Sequence, residues 1–193
     1  MPDTPTNTNT ASNVSVGKPK VTGAIYTAPL GTALPTDAVT DLAGAYIGLG
    51  YVSEDGVTNE NKAETKDIKA WGGDTVSSEQ TSKTDKFKYK LIEALNVEVL
   101  KAVYRSDNVS GTLSTGITVH ANSKPSTAAV WVIDIVMTDN AVKRVVIPEG
   151  KLTELEEIVY KDDDAIGYGM TISARPSSSA NGDTHIEYIK RAS

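Results

Sequence analysis

The sequence predicts a mainly β, antiparallel domain, a sandwich or barrel-like fold with one short peripheral α-helix and one long polar loop. Three observations carry that prediction. Apolar residues recur with a period of two in several short runs, the pattern of strands with one buried face. Gly, Pro, Asn and Asp punctuate those runs at hairpin spacings. A single stretch, residues 96–105, carries helical spacing with a capping residue at its head.

Taken in order, residues 1–16 are mostly Thr, Asn, Ser and Pro, with almost no charge and few apolar groups. They bury too little to offset the entropy of ordering. Residues 1–20 are therefore expected to form a flexible arm, and residues 21–193 one β domain beginning near Val21. Residues 23–28 predict a strand closed by Pro29. Residues 30–41 hold Gly31, Pro35 and Asp37 and read as a loop. Residues 45–52 predict a second strand, whose interior glycines suggest close backbone approach.

Residues 54–65 are polar and charged, with no apolar period. They begin the long polar loop. Within it, residues 66–74 suggest a short strand ending at Gly72-Gly73, followed by a Ser/Thr-rich extended segment. Residues 85–91 then alternate strictly: Phe87, Tyr89 and Leu91 on one side, Lys86, Lys88 and Lys90 on the other. In the helix that follows, Asn96 serves as N-cap, Glu98 sits in the first turn, and Val97, Leu100, Val103 and Tyr104 share a face.

The rest reads as strands. Residues 117–121 form one. Residues 130–137 are the most apolar run, and Asp139-Asn140 make a two-residue turn into residues 141–147, closed by Pro148. Glu149-Gly150 predicts another turn. Residues 151–160 alternate in part and are read as a strand, with a helix competing. Residues 162–164, all Asp, make a turn. Residues 166–174 alternate again, and residues 184–190 form a last strand.

Composition narrows the function. The chain has 193 residues, 39% hydrophobic and 23% charged, with a formal charge of −6 and no cysteine. That excludes thiol catalysis, thiolate metal sites and a disulfide scaffold. An acidic balance argues against a dedicated nucleic-acid binder, which relies on Lys and Arg. No apolar run is long enough for a membrane helix, and the first residues carry no export signal.

No catalytic constellation emerges. His120 and His185 are the only histidines, and no Gly-x-Ser-x-Gly elbow accompanies them. The three consecutive aspartates lack calcium-loop spacing. Gly167-Tyr168-Gly169 sits in strand-like surroundings and lacks the third glycine of a phosphate cradle. The lysine stripe fits a solvated face, a guarded sheet edge or an acidic neighbour better than nucleic acid. No cofactor is expected and no enzyme activity. What remains is a domain rich in strand edges and extended segments, features that recruit other chains, copies of itself included.

One resemblance sharpens this. Val21-Thr22-Gly23-Ala24-Ile25-Tyr26-Thr27-Ala28-Pro29, then Ala45-Tyr46-Ile47-Gly48-Leu49-Gly50-Tyr51-Val52-Ser53-Glu54-Asp55-Gly56-Val57, then Ala70-Trp71-Gly72-Gly73-Asp74 and Phe87-Lys88-Tyr89-Lys90-Leu91 with the helix after it resemble the tail tube (major tail) proteins of long-tailed, siphovirus-type bacteriophages. The resemblance implies a structural virion protein. Its copies would form hexameric rings that stack around a tape-measure protein, meet tail terminator and distal tail proteins, and enclose a conduit for DNA during ejection. Assembly would take place in the bacterial cytoplasm. It also implies that the long loop, about Glu54 to Thr81, reaches the next ring, which nominates Glu54, Asp55, Glu60, Lys62, Glu64, Lys66, Asp67, Trp71 and Asp74. Lys86, Lys88, Lys90, Asn96 and Arg105 are candidates for contacts between subunits, and Asp134, Glu154 and Glu156 for the lumen wall. The competing reading is a bacterial surface or pilus-like β-sandwich adhesive module.

Overall fold

Period-two patterning in this chain resolves into one extensive antiparallel sheet. A computed structural model describes residues 10–20 and 23–191. Residues 1–9 of the expected arm, and the boundary at Val21, lie outside the described residues. The strands are β1 (Lys18–Pro19), β2 (Ile25–Pro29), β3 (Ile47–Gly48), β4 (Val52–Lys69), β5 (Thr75–Leu91), β6 (Val109–Thr112), β7 (Gly116–Val119), β8 (Ala128–Val136), β9 (Ala141–Leu155), β10 (Tyr168–Ala174) and β11 (Ile186–Arg191), with helix α1 (Val97–Tyr104) after β5.

Nine strands join in the order β3-β2-β8-β9-β10-β5-β4, with β1 also on β8 and β11 also on β9; β6 and β7 pair separately. Every ladder is antiparallel. The sheet rolls on itself. Val52 and Val57 of β4 return to Gly17, Pro19, Ile133 and Ile135, and together they line a cavity of about 180 Å³. This mainly β architecture, consistent with a sandwich, is the one expected.

The inner face holds the core. Ile25, Trp131, Ile133, Val145, Ile147, Met170, Ile172, Phe87, Tyr89 and Leu91 meet there, and Val99, Leu100 and Val103 of α1 close over them. Each such side chain contributes about 1.5–3 kcal/mol by leaving water. An eight-residue helix is too short to persist alone, so this packing holds it. Asn96 caps it by accepting a hydrogen bond from the Glu98 amide at 3.0 Å. The backbone turns out at Arg105, φ 77°.

The outer face of β8 and β9 is also covered, since Val132 and Val146 are fully buried. The loop after β2 lies over it, fastened where Arg144 donates to the carbonyls of Asp37 and Thr40 at 3.2 and 2.7 Å.

Several expectations change. The long loop is not a loop. Residues 57–81 belong to a long hairpin, because β4 and β5 pair from Val57↔Tyr89 out to Lys69↔Thr75, and residues 54–56 form the irregular start of β4. Their polarity reflects solvent on both faces, not lack of structure. The strand expected over residues 45–52 shrinks to Ile47–Gly48. Past it the chain bends at Gly50, φ 72°, where a Cβ would fall 2.1 Å from the Glu93 side chain.

Pro148 does not end its strand, and Glu149-Gly150 is no turn. β9 continues to Leu155. The register against β8 slips between Ala129↔Gly150 and Trp131↔Ile147, a bulge that takes a proline without orphaning a ladder bond. Beyond Leu155 the strand expected to Tyr160 is absent. Finally, the segment expected to be a free arm is attached from Ser15 onward. Ser15 Oγ accepts from the Thr138 amide, Val16 donates to Thr138 Oγ1, and Lys18 and Pro19 pair with Val136 and Ile135.

Candidate functional site

The feature that stands clear of the body is the β4–β5 hairpin. All residues from Thr58 to Lys83 are exposed. At strand rise, the part beyond Asp85 reaches roughly 30 Å. Its end is a tight turn in which the Ala70 amide donates to Asp74 O at 2.8 Å and the Gly73 amide to Ala70 O at 3.0 Å. Gly72 and Gly73 take φ of 126° and 100°, angles that side chains resist. Trp71 sits at this tip wholly in solvent, 106% exposed, with Ile68 and Val76 exposed beside it. An isolated apolar cluster on a polar arm marks a contact surface.

The nominated residues separate along this arm. Lys66, Asp67, Trp71 and Asp74 lie at or near the tip. Glu64 lies lower, accepting from Ser82 Oγ at 3.0 Å, with Lys62 opposite Thr84. Glu60 is at the root, 3.6 Å from Lys88 Nζ. Glu54 and Asp55 are not on the arm. They occupy the irregular start of β4, between Val52↔Leu91 and Val57↔Tyr89.

The lysine stripe and two nominated lumen carboxylates share one sheet face. Lys88 is opposite Thr171, which is opposite Glu154. The Lys90 chain lies over Gly167 and Glu156 over Gly169, so close that a Cβ at either glycine would collide with it. Lys86 and Lys151 flank Ser173. This face therefore mixes both signs across β9, β10 and β5, an arrangement that residue spacing alone did not reveal.

Three nominations change character. Asp134 is 5% exposed. Its carboxylate takes Arg144 Nε and Nη2 at 2.7 and 2.9 Å, so it is an internal ion pair and not a lumen group. Asn96 caps α1 and donates to Glu93 Oε2 at 2.8 Å. Arg105 holds Asp107 at 2.9 and 3.1 Å and the Pro125 carbonyl. Both serve the helix ends.

Sequence reading missed a buried polar cluster at the arm's root. Asp85 accepts from Asn59 Nδ2 at 2.9 Å, Thr184 Oγ1 at 2.6 Å and His185 Nδ1 at 2.6 Å. Burial works against its charge, but these hydrogen bonds prevail and its pKa is lowered. The signal was present: the inward row Leu91, Tyr89, Phe87 ends in a carboxylate.

Among the described residues, no group of His, Asp and Glu is spaced to hold a metal ion, and no helix is long and apolar enough to cross a membrane.

A rolled antiparallel sheet with a projecting hairpin, an apolar tip and a long free edge on β4 defines a structural subunit of the kind that builds assemblies. The chain belongs to the phage tail tube protein family: the family model described as "Phage tail tube protein" matches residues 10–191. It is thus a structural component of the virion tail. No curated protein matches the chain significantly.

Proposed function

We propose that copies of this chain close into hexameric rings, and that the rings stack into the tail tube through which DNA leaves the virion. The observation that carries the reading is the exposed hairpin with Trp71 at its tip. A single copy gives that tip nothing to bury against, and a neighbouring ring does. β4 ends the sheet order, so its outer edge is open to a strand from another copy. Head-to-tail contacts that close by rotation make rings, and a second contact along the axis, through the arm, stacks them.

Within this reading the arm residues Lys62, Glu64, Lys66, Asp67, Trp71 and Asp74 contact the next ring. The mixed face bearing Glu154, Glu156 and the three lysines forms the lumen wall. Its lysines stand among carboxylates, as Lys88 does beside Glu60, so no continuous basic track holds the phosphates. The tape-measure protein occupies that lumen before DNA does, the terminator and distal tail proteins cap the two ends, and assembly proceeds in the host cytoplasm.

The test is to replace residues 62–84 with an Asn-Gly turn between the partners Asn61 and Asp85 and follow polymerisation by electron microscopy. The expected result is a folded subunit that forms no tubes. Tubes indistinguishable from those of the intact chain would overturn the role of the arm.

A further inference from the structure

The arm needs a fixed direction, and its ladder alone does not supply one. β10 supports β5 only as far as Ser173↔Lys86, and β10 ends at Ala174. Asp85 is the next residue of β5, the first without a third strand beside it. From there outward β4 and β5 pair only with each other, with register shifts at Glu64/Thr65 and Ile68/Lys69. Two-stranded ribbons twist and bend readily.

At that level the inward row of β5 changes from apolar to charged. The Asp85 side chain is fully buried, and its three side-chain donors come from two directions. Asn59 is on β4, and Thr184 and His185 lead into β11. Asn59 also donates to the Lys86 carbonyl at 3.2 Å. The His185 ring stands edge-on to Phe87, centroids 5.2 Å apart. Behind it Glu187 lies 3.9 Å from Nε2 and 2.7 Å from Lys143 Nζ. Lys83 and Asp183 line the adjoining cleft.

We propose that the Asp85 cluster is a lock at the root of the arm, where Asn59, Thr184 and His185 clamp one carboxylate so that hairpin and body turn as a single rigid piece. The lock replaces the missing third strand with charge-assisted hydrogen bonds, which are short and directional. Apolar contacts in its place would let the arm pivot. The inference concerns the free subunit and does not depend on what the tip touches.

Spin labels on V76C, near the tip, and L95C, between β5 and α1, report the arm's direction; both positions are exposed. The distance distribution between them is read by pulsed electron resonance in the otherwise unchanged chain, in Asp85→Asn and in the milder Thr184→Val. Amide exchange of β8 and β9 is followed in parallel. The expected result is a narrow distribution that widens at least twofold in both variants, while β8 and β9 exchange as before. A distribution already broad in the unchanged chain, or equally narrow in the variants, overturns the lock. So does acceleration of β8 and β9 exchange by the same factor as the arm root, since the cluster would then be a general stabiliser. Because no step uses polymerisation, a failed lock and a failed tube are distinguishable.

Discussion

Arg144 and Asp134 are direct register partners across β8 and β9, and the guanidinium grips the carboxylate with two parallel bonds of 2.7 and 2.9 Å. Lys20 adds a longer contact to the same carboxylate at 3.8 Å. The pair is buried beneath the loop that its remaining donors fasten. Removing one partner leaves the other charge buried, which costs about 3–5 kcal/mol. Arg144→Met should lower stability by that order in urea unfolding. The double variant Asp134→Leu, Arg144→Met should recover much of the loss.

Trp71 is expected to matter only in company. Trp71→Ala should change the free subunit's stability by less than about 0.5 kcal/mol, as exposed positions do, and still abolish or strongly slow tube formation. The chain has two tryptophans, and Trp131 is buried. A blue shift of fluorescence on polymerisation therefore reports Trp71 leaving water, and Trp71→Phe should remove the shift.

Asp85 links stability to acidity. Its folded pKa lies below the ordinary 3.8, so the stability it adds is complete above 3.8 and disappears as pH falls through the lower folded value. The local stability of the arm root, read by amide exchange against that of β8 and β9, should therefore decline below about pH 4. Thr184→Val, which removes one donor, should make that decline shallower.

Asp37 offers a direct titration. The Thr40 hydroxyl, then the Thr40 and Val39 amides, hold its carboxyl at about 2. Carboxyl-carbon resonances should show that midpoint, and Thr40→Val should move it toward 3.8.

Asn96→Ala should cost about 0.5–2 kcal/mol, the usual range for a lost N-cap. The effect should fall near the top of it, because Asn96 also donates to Glu93, which accepts from the Tyr51 amide at 2.9 Å.

Legibility followed burial. The strand through Phe87, Tyr89 and Leu91 and the helix behind Asn96 could be read in the sequence because one face of each meets the core. The hairpin beyond Asp85 could not: with water on both sides, polar residues suit every position and no period survives. Pro148 misled for another reason, since a bulge removes the penalty that normally ends a strand there. Trp71 was nominated by resemblance, and its full exposure became visible only once the turn was built. The mixed face of Lys88, Glu154 and Glu156 depends on β5, β10 and β9 lying side by side, a long-range adjacency that local spacing does not encode.

The bulge at Pro148 divides the labour of β9. On one edge of this strand β11 takes residues 141–146 and β10 takes residues 150–155. Between them lies the only stretch of that edge with no strand to meet, where Arg175 reaches the Glu149 carbonyl at 2.9 Å. Two panels of sheet thus hang from one unbroken backbone and share no ladder. Peeling one away leaves the other's ladder bonds to β9 intact.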